Sequence, residues 1–73
     1  MVKKKAEELE EMYNRLLQEL VGNPPLVTNR YAYDLWYQYK AKVESCAQET
    51  IAYHPDYDYD LLKEVVKSCA QSS

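Results

Sequence analysis

The chain of 73 residues contains no phenylalanine, one glycine, one histidine, two cysteines and three prolines. Each scarcity removes a class of chemistry. With only Gly22, no glycine-rich loop can cradle a phosphate. Two cysteines do not make a disulfide framework, and without a CxxC spacing they do not read as a metal or redox motif. The longest uncharged run ends at Asn29 and is broken by Gly22, Pro24 and Pro25, so no segment approaches the roughly 20 apolar residues of a membrane span. Cations are few as well. Nine Lys and Arg stand against twelve Asp and Glu, for a net charge of -3, which argues against the nonspecific phosphate binding that runs on basic surface. Lys3, Lys4 and Lys5 are followed by Glu7, Glu8, Glu10 and Glu11 where a signal peptide would carry an apolar core. A cytoplasmic or otherwise intracellular protein is therefore expected.

What the chain has in excess is tyrosine. Seven of its eight tyrosines and its single tryptophan lie between Tyr31 and Tyr59. Such rings supply rigid contact area with a polar handle, at a core edge or at a binding surface.

Three helices are expected, and 73 residues allow one domain with a modest core, often helped by a staple or a partner. In the first, about 2–21, Ala6, Leu9, Tyr13, Leu16 and Leu20 recur at intervals of three and four. Met12, Leu17 and Val21 widen that stripe. Glu11 and Arg15 are spaced to pair on its wet face. Gly22-Asn23-Pro24-Pro25 ends it, with Gly22 suited to a left-handed cap and the prolines to a rigid connector. The second helix, about 29–51, is capped by Thr28 or Asn29. It carries Ala32, Leu35, Trp36, Tyr39, Val43, Cys46, Ala47 and Thr50 inward, with Tyr33, Tyr37, Lys40 and Glu44 roughly opposite. The third, about 58–71, buries Leu61, Leu62, Val65, Val66 and Cys69 behind an acidic entrance of Asp56, Asp58 and Asp60. Short connections imply an all-α, up-down-up three-helix bundle in one domain, with completion by dimerisation as a further option. The second helix outruns the third, and its unmatched length is where a partner is expected.

One internal echo is present. Val43-Glu44-Ser45-Cys46-Ala47-Gln48 returns as Val66-Lys67-Ser68-Cys69-Ala70-Gln71. In a simple hairpin Cys46 is expected near the turn and Cys69 near the far end, too far apart to bridge, since the Cα atoms must approach within about 7 Å. Both are read as small core residues, with a disulfide, between chains or in a topology other than the simple hairpin, as the alternative.

The remaining polar groups suggest no reaction. His54 sits in a Tyr53-His54-Pro55-Asp56 turn and reads as solvated, because its spacing from the cysteines forms no compact zinc site. Asp56, Asp58 and Asp60 match the opening of a calcium loop, but Leu61 stands at the glycine position and Lys67 at the closing glutamate. Ser45 or Ser68 with His54 lacks the elbow that exposes a nucleophile. No enzyme, cofactor, metal or small-molecule substrate is expected. The favoured function is a non-catalytic protein-interaction module, such as a small subunit, adaptor or inhibitor, with a homodimer among its options. Its surface would join Tyr33, Asp34 and Tyr37 to the turn residues Tyr53, Asp56, Tyr57, Asp58 and Tyr59. The alternative is a small helical nucleic-acid-binding protein contacting phosphate through Arg30, Lys40 and Lys42.

Overall fold

The computed structural model describes residues 5–71, and among them lie three helices and no strand. Helix α1 is Ala6–Leu20, α2 is Arg30–Tyr53 and α3 is Tyr59–Gln71. This is the expected three-helix bundle, with α2 two residues longer than expected at its C-terminal end; positions 2–4, expected in α1, lie outside the described residues.

The helix ends follow the local chemistry. Gly22 takes φ +71, and its N–H donates to the Leu17 carbonyl at 3.3 Å, closing α1 in the left-handed manner open to glycine. Asn29 Oδ1 accepts from the Ala32 N–H at 3.2 Å and Asp58 Oδ1 from the Leu61 N–H at 2.8 Å. Each satisfies one of the amide donors that a helix start leaves free.

The core is small and built by all three helices. Leu16 of α1, Val43 and Ala47 of α2, and Leu62, Val66 and Ala70 of α3 are each at most 4 % exposed. Met12, Tyr13, Leu17, Leu20, Tyr39, Ile51, Tyr57 and Tyr59 pack around them. Four residues of the expected stripes fall outside the core: Leu35 is 50 % and Leu61 46 % exposed, and Ala6 and Cys69 are exposed as well.

The cysteines correct the sequence reading. Cys46 and Cys69 form a disulfide across α2 and α3, with their Cα atoms 6.2 Å apart. Cys46 lies seven residues before the end of α2 and Cys69 ten residues after the start of α3. At 1.5 Å per residue they stand about 10 and 15 Å from the turn, an offset of only about 4.5 Å. The expectation of too great a separation placed Cys46 too close to the turn. The echoed hexapeptides thus meet across one seam, where Val43, Ala47, Val66 and Ala70 are buried beside the disulfide.

The molecule measures 48 × 24 × 16 Å. Its length comes from α2, whose 24 residues far exceed the 13 of α3. The first half of α2 projects past the α2–α3 seam.

Candidate interaction surface

Helix α2 has two neighbours, so more than one stripe of it is covered. On the α1 side the Trp36 indole N–H donates to the Val21 carbonyl at 3.3 Å. Tyr33 packs on Trp36 with ring centroids 5.6 Å apart, and Lys40 Nζ lies 5.4 Å from the indole centroid. The Tyr13 hydroxyl donates to Glu44 Oε2 at 3.5 Å and accepts from Gln48 Nε2 at 3.3 Å. Lys40 and Glu44 are half-buried rather than outward-facing because α1 lies against their flank, and Tyr33 is half-buried against Trp36. Tyr37, one turn beyond Tyr33, is 57 % exposed, and Asp34 is also exposed.

At the other end of α2, Tyr53 is 74 % exposed. Tyr57 and Tyr59 are half-buried and packed on the core. The Tyr57 ring stacks on His54 at 4.5 Å. Asp56 is exposed and Asp58 is engaged as the α3 cap. Tyr37 and Tyr53 are separated by sixteen residues of helix, about 24 Å. The residues expected to act together thus form two groups at opposite ends of α2.

Tyr59 belongs to a polar clasp between α1 and α3 that the sequence reading missed. Its hydroxyl donates to Glu19 Oε2, which also accepts from Lys63 Nζ at 2.9 Å. Arg15, expected to pair with Glu11, reaches Glu19 Oε1 at 3.2 Å and lies 4.1 Å over the Tyr59 ring. The hydrogen bonds from Tyr59, Lys63 and Arg15 hold the Glu19 carboxyl down to about 2, from 4.5. Burial and the bond to Glu19 push the Tyr59 phenol up to about 12. Because the folded Glu19 pKa lies below its unfolded value, its contribution is present above pH 4.5 and lost as pH falls from there through about 2. Tyr59 acts with the opposite sign, contributing below pH 10 and losing that contribution as pH rises through about 12. Denaturation across the acid range should show a modest loss, since Glu19 is 35 % exposed and screened by water. Glu19→Gln should remove the part of the slope between pH 4.5 and 2; an unchanged slope would show that the clasp contributes nothing.

The most exposed apolar surface is at the projecting end of α2. Leu26 and Val27 in the connection are each 79 % exposed, Tyr31 is 77 % and Leu35 50 %. Tyr31 and Leu35 are one helical turn apart on the same side. Leu35 was expected within the inward stripe. Periodicity identifies a stripe but not how far along it a neighbouring helix extends.

Arg30, Lys40 and Lys42 form no common basic face. Lys42 and Lys40 lie roughly 120° and 280° around the helix from Arg30, and Lys40 is drawn against Trp36. Among the described residues no group of three or more His, Cys, Asp or Glu is placed to hold a metal ion, and no helix is long and apolar enough to cross a membrane. Depressions of about 300 Å³ beside Tyr59 and about 260 Å³ beside the disulfide are shallow and open to solvent. The fold and surface define a small all-α bundle with exposed aromatic and aliphatic residues. The chain matches no protein-family model, no curated protein and no solved structure.

Proposed function

We propose that this protein is a non-catalytic protein-binding module whose contact surface is the projecting first half of α2 with the connection before it. The observation that carries this reading is the run of Leu26, Val27, Tyr31 and Leu35, exposed where α3 does not reach. Exposed apolar groups gathered in one place and rimmed by polar residues are the usual mark of a protein interface. Tyr37 and Asp34 adjoin them on α2 and supply an aromatic anchor and a charge. Tyr53, Asp56 and Asp58 at the far end would form a second, smaller contact, while Tyr57 and Tyr59 serve chiefly the fold.

The disulfide bears on where such a module works. Structural disulfides persist in oxidising compartments and are rare in the reducing cytosol. The Cys46–Cys69 disulfide therefore favours an oxidising compartment over the cytoplasmic location expected from the sequence.

Site-specific photo-crosslinking in expressing cells tests the reading. A crosslinker at Tyr31 or Tyr37 should yield discrete protein adducts, and one at Lys67, exposed on α3, should yield none. Equal, diffuse labelling from all three positions would remove the proposed surface.

A further inference from the structure

The projecting part of α2 has a pattern that specifies its occupant. Tyr31, Asp34, Leu35, Gln38 and Lys42 are all exposed and fall within an arc of roughly 100° on one side of the helix. Tyr31, Asp34, Leu35 and Gln38 occupy positions i, i+3, i+4 and i+7, the four corners of a hole that accepts one side chain from a facing helix. This hole has an aromatic ring and an aliphatic side chain on two corners and a carboxylate on a third. It suits a long side chain with an apolar stem and a cationic tip. Lys42, on the same face, is such a side chain.

Register makes the match reciprocal. Asp34 and Lys42 stand four residues to either side of Gln38, about 6 Å along the axis in each direction. A two-fold axis beside Gln38 would bring antiparallel helices together so that each Lys42 meets the other copy's hole. Neither Asp34 nor Lys42 has a charged partner among the described residues.

Resting on the protein-binding reading above, we propose that the partner is a second copy of this chain, docked antiparallel on α2 with each Lys42 seated among Tyr31, Asp34, Leu35 and Gln38 of the other. The Lys42 ammonium meets the Asp34 carboxylate, its stem lies on Leu35, and the Tyr31 ring covers it. The same register carries Leu26 and Val27 toward the partner's Tyr53, joining three of the most exposed apolar side chains. Both cysteines are consumed within the chain, so the dimer is noncovalent. The helix-on-helix contact centred on Gln38 runs over only about 20 Å, with the Leu26, Val27 and Tyr53 contacts flanking it at either end, which belongs with small interfaces and a micromolar dimer.

Sedimentation equilibrium from micromolar to millimolar chain, under non-reducing conditions, tests this. The wild type should dimerise. Asp34→Lys and Lys42→Asp should each raise the dissociation constant roughly tenfold or more by opposing like charges, and the double exchange should return it to within about threefold of wild type. All three variants should keep the wild-type circular dichroism and melting temperature, because both positions are exposed. A monomer at every concentration, or a dimer indifferent to the single exchanges, overturns the pairing. A monomer that still gives heterologous adducts from Tyr31 and Tyr37 leaves the binding reading standing; a monomer that gives none removes both.

Discussion

Replacing Cys46 and Cys69 by serine should lower stability by about 3 kcal/mol and the melting temperature by roughly 12–24 °C. The disulfide joins residues 23 apart in sequence, and closing a loop of that length restricts the unfolded chain by an entropy corresponding to about 3 kcal/mol. Little else should change on substitution, since Cys69 is exposed and Cys46 only half-buried, so the serine hydroxyls meet water. The bond also acts where the fold needs it. Helix α3 has 13 residues, a length at which an isolated helix is marginal in water. Its docking otherwise rests on Leu62, Val66 and Ala70 and on the bonds of Tyr59 and Lys63 to Glu19. Thermal unfolding with and without reductant checks the assignment. Reductant should lower the wild-type midpoint to that of the double-serine variant and leave the variant unmoved. A wild type indifferent to reductant would mean that the bond is absent or without weight.

The disulfide shows what kind of information a sequence of this type holds and where it fails. Helix identity, caps and core stripes are local properties, set by spacing and end chemistry, and Gly22, Asn29 and Asp58 can be read directly. The overhang of α2 is legible too, because helix lengths follow from the positions of the turns. Pairings between helices depend on register, and an error of a few residues reverses the conclusion for Cys46 and Cys69. The echo of Val-x-Ser-Cys-Ala-Gln was the available signal, since the two copies supply equivalent valines, alanines and cysteines to one seam. The flank of α2 was misjudged for a related reason. One stripe accounts for one neighbour, whereas α2 packs against two, so Lys40 and Glu44 are drawn inward by α1. The clasp at Glu19 joins residues forty or more apart in the chain, and no local spacing announces it.

Leu16→Ala should cost 2–5 kcal/mol, the range for deleting a fully buried leucine side chain and leaving part of its volume empty. Leu16 is 0 % exposed and is the only buried residue that α1 contributes. A domain of this length has a total stability of about 4–11 kcal/mol, so the substitution removes a large share of it. The loss should also be uneven. Helices α2 and α3 remain tied by Cys46–Cys69, whereas α1 is held by Leu16, its half-buried neighbours and the Glu19 clasp. Detachment of α1 should therefore precede loss of the α2–α3 hairpin, and Trp36 can report it because its indole donates to Val21 at the end of α1. In Leu16→Ala, a change in Trp36 fluorescence should come at lower denaturant than the loss of helical circular dichroism. Leu26→Ala, at a position 79 % exposed, should shift stability by no more than about 0.5 kcal/mol. Coincident transitions in Leu16→Ala would show that all three helices unfold as one unit despite the covalent tie, and a cost below about 1 kcal/mol would mean that Leu16 is not the anchor of α1.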